Sequence, residues 1–153
     1  TARSTGVLAS SGALAVTEAT IYGLKPIKGA MDFLYRTMAK IKSGQVLEDV
    51  VREELKKYRN VYGYGRPITD RDERVAPLME FAHSLDAGHG EYTQLAFKVD
   101  EYLSSSRYGY TINISGVAAA LMADEGYSPD DHYSSVLPPV LPNLLPRRRL
   151  LLR

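Results

Sequence analysis

The chain has no cysteine, so it can form no disulfide and offers no thiolate to a metal or a substrate, a composition that suits a reducing compartment. It also has almost no net charge, +1 from 19 basic and 18 acidic residues, which removes any general electrostatic reason to expect nucleic acid or an anionic membrane as a partner. No apolar run approaches the roughly 20 residues needed to span a bilayer. Strand-forming sequence is scarce as well: only Tyr108–Ser115 has the aromatic and β-branched content of a short extended piece. What is present is 44% apolar and 24% charged residues over 153 positions, enough for one soluble domain with a real core and too few for two of ordinary size.

Helical periodicity fills most of the rest. From Ser4 to Tyr22 small residues dominate and predict a helix suited to close packing, stopped by Gly23. Lys25–Ala30 reads as a short turn with two lysines. Met31, Leu34, Tyr35, Met38 and Ile41 then recur along one face of a helix over Ala30–Lys42. A second amphipathic helix, Val46–Tyr58, points Val46, Leu47, Val50, Val51 and Leu55 inward and its charges outward. Arg74–Leu85 carries Val75, Leu78, Met79, Ala82 and Leu85 on one face, and Glu91–Leu103 repeats the pattern. His83 and His89 lie six apart across the intervening break, whereas metal ligands on one helix repeat at about three or four, so no metal site is expected there. Gly116–Ala123 is an alanine-rich helix ended by Gly126, and Ser128-Pro129-Asp130-Asp131 caps a short last one. The fold class expected is all-α.

The longest non-helical joint is Gly63–Arg74. Two glycines one residue apart permit positive φ or a close backbone approach, Pro67 removes a donor, and five charges crowd the positions from Asp70 to Arg74. Such a loop can hold an anion; it can equally be a solvated connector with Asp72 as helix cap. At the other end, Arg147-Arg148-Arg149-Leu150-Leu151-Leu152-Arg153 has neither helical nor strand periodicity and reads as a disordered or artificial tail following a domain over 1–146.

Three polar loops, taken in order with the helices between them, resemble the C-terminal part of the citrate synthase family, methylcitrate synthases included. In that family a His-Gly-Gly-Ala turn opens a helix, a Gly-Phe-Gly-His loop leads to an Asp-Pro-Arg triplet, and an Asn-Val-Asp segment precedes another helix. The matching stretches are Lys25-Pro26-Ile27-Lys28-Gly29-Ala30, Gly63-Tyr64-Gly65-Arg66 with Asp72-Glu73-Arg74, and Asn113-Ile114-Ser115. The resemblance runs from about Ala2 to Leu145 and no single motif is intact. It implies a helical small domain with flanking large-domain segments, a cleft for coenzyme A and oxaloacetate, a homodimer or association with a large-domain partner, and the cytoplasm or mitochondrial matrix. A coenzyme A thioester would be a substrate, with no permanently bound cofactor and no metal. The family's large N-terminal domain is missing, so the chain is read as an excerpt or a single-domain offshoot.

At the positions of the family's catalytic His, His and Asp stand Lys28, Arg66 and Ser115. A serine hydroxyl with no adjacent base stays protonated, and the missing base costs on the order of 10²–10⁴ in rate. Arginine holds its proton at any ordinary pH, so Arg66 can bind an oxyanion but cannot shuttle a proton. Lys28 can stabilise an enolate or, if desolvated, attack a carbonyl. Arg71 and Arg74 match the family's basic residues near the coenzyme A phosphates, with pairing to Asp70, Asp72 or Glu73 as the alternative. The family's substrate-binding arginine falls near Leu145, with Arg147 two positions on. Three functions follow: a pseudoenzyme that keeps ligand or partner binding, a thioester hydrolase or lyase using Lys28 and Arg66, and a non-catalytic helical fragment.

Overall fold

The computed structural model describes residues 24–65 and 71–135, together with Leu8, Ser11, Gly12 and Ala15. Those four isolated positions are helical, and the rest of the helix expected over Ser4–Tyr22 lies outside the described residues, as do Arg66, Leu145, Arg147 and the tail. The elements are α1 (Leu24–Lys42), α2 (Leu47–Tyr58), α3 (Val75–Ser84), α4 (Glu91–Ser105), α5 (Ile114–Asp124) and a short α6 over 129–135. Among the described residues there is no strand, only an isolated antiparallel bridge between Tyr64 and Ile112. No described helix is long and apolar enough to cross a membrane.

The alanine-rich segment is the central helix. α5 buries Gly116, Val117, Ala119, Ala120 and Ala123 and packs chiefly on α1 and on α4. Small side chains let the three helices approach closely, and larger ones from the neighbours, Phe33 and Leu34 of α1 and Leu95, Val99 and Leu103 of α4, complete the core. The predicted stripe of α1 holds: Met31, Leu34 and Met38 are buried and Tyr35 and Ile41 partly so. α2 turns Val50, Val51 and Leu55 inward. Its outer charges tie it to α1, with Arg36 donating twice to Glu54 at 2.8–2.9 Å and Lys40 to Glu53 at 2.7 Å.

The expected turn at Lys25–Ala30 is instead the first turns of α1. Pro26 does not prevent this, because the N–H groups of a first turn have no intrahelical partner to lose. Gly29 is there for space: a Cβ on it would collide with the Tyr62 ring. Two apolar assignments also change. Val46 is the residue before α2 and is 58% exposed, and Leu85, just past the end of α3, is 64% exposed. Both lie where the chain leaves helical geometry, so the periodic face no longer governs where they point.

Asp124, at the end of α5, organises the start of α4. Its carboxylate accepts from Tyr92 N at 2.7 Å, Thr93 N at 3.0 Å and Thr93 Oγ1 at 2.6 Å, and a Cβ at Gly90 would collide with it. It is a helix cap supplied from another helix. Asp124→Ala is expected to lower stability by about 2 kcal/mol, the upper end for losing a cap, as read from the urea midpoint; an unchanged midpoint overturns that role.

Candidate active site

The three loops that carry the family resemblance meet at Gly63. This residue has φ +90, and a Cβ on it would stand 2.8 Å from Gly116 Cα and 3.2 Å from Ala30 Cβ. The second loop and the start of α5 therefore approach backbone to backbone, with the Ala30 side chain of α1 against the same point. Asn113 fastens the second loop to the third. Its N–H donates to Gly63 O at 2.9 Å, its Nδ2 to Gly65 O at 3.0 Å, and its Oδ1 accepts from Ser115 N and Gly116 N as the N-cap of α5. That cap starts α5 two residues before the helix expected from Gly116, shortening the extended piece. Gly65 N donates to Thr111 O at 2.7 Å, and Gly65 too has positive φ, +79. The two glycines are thus used both for left-handed backbone and for close approach.

Asp72 is neither solvated nor the cap of α3. Its side chain is 1% exposed and accepts from Ile114 N at 2.9 Å, while Arg74 Nε and Nη2 each donate to it at 2.8 Å. α3 begins after Arg74 with no side-chain cap. The Arg74 guanidinium, followed by the Ile114 and Arg74 N–H groups, holds the Asp72 carboxyl far below the usual carboxylate range. The segment after the second loop is so clamped to the first turn of α5, one residue from Ser115.

Of the five residues singled out by sequence, Lys28 and Ser115 sit on segments joined at Gly63, Arg71 and Arg74 flank the Asp72 clamp, and Arg66 lies outside the described residues. Lys28 lines a hollow of about 490 Å³ with Lys25, Asp32, Tyr62, Asp130 and Tyr133. Ser115, half-buried, is not part of that lining. Lys28 Nζ is 2.5 Å from Asp130 Oδ1. The hydrogen bond and charge of Asp130 raise the lysine pKa, so Lys28 is an ammonium and not the desolvated amine that attacks carbonyls. Arg74 spends Nε and Nη2 on Asp72, which weakens it as a ligand for phosphate. Arg71 is exposed beside a hollow of about 200 Å³ walled by Asp72, Phe97, Asp100 and Ile112, smaller than most small-molecule sites.

Asp130 is the site residue that sequence reasoning missed. The signal was present in the Ser-Pro-Asp-Asp turn. Ser128 and Asp131 satisfy each other, Ser128 Oγ donating to Asp131 Oδ2 at 2.6 Å and receiving Asp131 N at 3.2 Å, which leaves Asp130 to face elsewhere. His132 next to it is buried, neither ring nitrogen has a hydrogen bond among the described residues, and burial lowers its pKa. His83 and His89 stack in parallel with ring centroids 4.9 Å apart. Among the described residues no group of three or more His, Cys, Asp or Glu is placed to hold a metal ion.

A central small-residue helix met by two polar loops and the first turns of α1, with no strand among the described residues, defines a citrate-synthase-like all-α fold. Among solved structures it is similar to citryl-CoA lyase from Hydrogenobacter thermophilus, with a TM-score of 0.68 and 21% sequence identity over 95% of this chain and 60% of that one. The chain thus spans about three-fifths of that protein's length. The likeness bears out the family resemblance at the level of the fold. No family model matches the chain, and no curated protein does.

Proposed function

We propose that this chain is a citrate-synthase-like binding protein for coenzyme A or keto-acid carboxylates that has lost the condensation reaction. The observation that carries this reading is Ser115 at the position of the family's catalytic aspartate, with the aspartates that cap or clamp the neighbouring segments engaged elsewhere. Asp124 is committed to the cap of α4, Asp131 to that of α6, and Asp72 to Arg74 and Ile114. At that position a weakly acidic thioester α-proton then has no carboxylate to receive it. Lys28 is kept charged by Asp130, and an anion that binds it would take that carboxylate's place.

A second reading is favoured by the likeness to citryl-CoA lyase: carbon–carbon or thioester cleavage in which Lys28 and Arg66 stabilise developing negative charge. Cleavage of this kind needs a positive charge more than a neutral lysine, which Lys28 would supply once the substrate's oxyanion displaced Asp130 from it. A non-catalytic role, with a second copy or a large-domain partner completing the cleft, is the remaining alternative.

Calorimetry with coenzyme A and with oxaloacetate, combined with thiol release from acetyl-CoA plus oxaloacetate and with oxaloacetate and thiol release from citryl-CoA, separates these readings. Saturable binding of either ligand with neither product released is the expected result. Oxaloacetate release (carbon–carbon cleavage) or thiol release (thioester hydrolysis) from citryl-CoA that falls about 10²–10³-fold in Lys28→Ala would establish the second reading instead, and turnover untouched by that change would leave the second reading without a mechanism. Binding of neither ligand would sink the first.

A further inference from the structure

Away from the loops that meet at Gly63, the C-terminal end of α1, the start of α2 and the first half of α4 enclose another hollow, of about 360 Å³. Met38 and Leu95 are buried and Ile41 and Leu47 half-buried around it, so its inner wall is aliphatic. Its exposed lining is charged and arranged unequally. Lys42 pairs with Glu91 at 2.7 Å, and Gln94 is held by its own bond to His89 O at 2.9 Å. Lys98, on the same α4 surface one turn beyond Gln94, makes no hydrogen bond or ion pair among the described residues.

Among the described residues one ammonium therefore stands unneutralised beside an aliphatic chamber. Two lysines and one glutamate leave the mouth with a single excess positive charge. Water is a poor occupant of an aliphatic wall that offers it no partners. A molecule with one anionic head and an apolar tail would meet both surfaces at once, pairing with Lys98 while its chain covers Met38, Ile41, Leu47 and Leu95. At ~30 Å³ of liquid volume per heavy atom the chamber holds about a dozen such atoms, which sets the tail at roughly eight to ten carbons.

We infer that this hollow is a binding site for a medium-chain aliphatic monocarboxylate, with Lys98 receiving the head group. The site is separate from the proposed coenzyme A and keto-acid cleft and does not depend on that reading.

The test is calorimetric titration of the chain with octanoate and decanoate below their micellar range, with acetate and decyltrimethylammonium as probes lacking the tail or reversing the head charge. One decanoate per chain is expected, bound at least tenfold more tightly than either of those probes. Lys98→Gln, at an exposed position, should weaken decanoate at least tenfold while leaving the thermal midpoint of the free protein in place. Leu47→Gln should weaken it by a similar factor through the wall. Absence of saturable binding, or decanoate affinity unchanged in both variants, overturns the inference.

Discussion

Gly116→Ala is expected to destabilise the chain by about 3 kcal/mol, a fall in Tm of roughly 6–12 °C. The sign is what makes the result informative. Gly116 lies inside a helix, where alanine is normally better than glycine by about 0.5–1 kcal/mol. Here its Cβ would run into the carbonyl oxygen of Gly63 and stand 3.0 Å from Ile112 Cγ1. Neither can yield cheaply, since the Gly63 carbonyl also receives the Asn113 N–H and Ile112 is buried. Gly126→Ala isolates the collision from backbone strain: it has φ +83 but nothing within 4 Å, so a loss of only about 1 kcal/mol is expected. Thermal and urea unfolding of the two variants side by side check this. A Gly116→Ala protein as stable as the parent would mean that the loops do not cross in backbone contact.

Asp72→Ala should cost about 2–4 kcal/mol, because it strands the Ile114 N–H at the start of α5 and leaves Arg74 without its carboxylate. The half-exposed arginine keeps the effect below that of a fully buried pair. The variant also carries a pH signature. Asp72 titrates lower in the folded chain than in the unfolded one, where the carboxyl has its ordinary value of about 3.9. Its contribution is thus fully present above that value and is lost as pH falls below about 4 toward the folded titration, where the unfolded chain binds the extra proton. Urea midpoints measured from pH 7 to pH 2 should fall more steeply in the parent than in Asp72→Ala. Parallel profiles would show that the buried carboxylate is not what the acid limb reports.

Most helices were legible because their apolar residues recur at helical spacing, and the alanine-rich segment was legible as a helix while its central position was not. Punctuation misled at the ends. Pro26 and Gly29 look like turn residues, yet one occupies a first turn and the other makes room for Tyr62, which only a tertiary neighbour reveals. The stretches that carry Lys28 and Ser115 come together at Gly63, but Ser115 does not line the hollow that Lys28 lines, which the order of motifs along the chain could not show. The Lys28–Asp130 pair spans 102 residues and no local pattern encodes it. Asp72 was hidden for the opposite reason: in a run of charges it reads as solvated, and only the exposed N–H of Ile114 explains why this carboxylate is the one drawn inside.

The meeting at Gly63 also bears on how the molecule forms. Asn113 and Gly65 are 48 residues apart, so their hydrogen bond closes a long loop whose entropy must be lost before the backbone around Gly63 is ordered. Such distant closures slow folding relative to helix growth, which takes nanoseconds per residue. Isolated peptides covering one loop would lack the other two that give it shape. The prospective cleft is consequently a property of late, chain-wide assembly, absent until the ends of the closure have found each other.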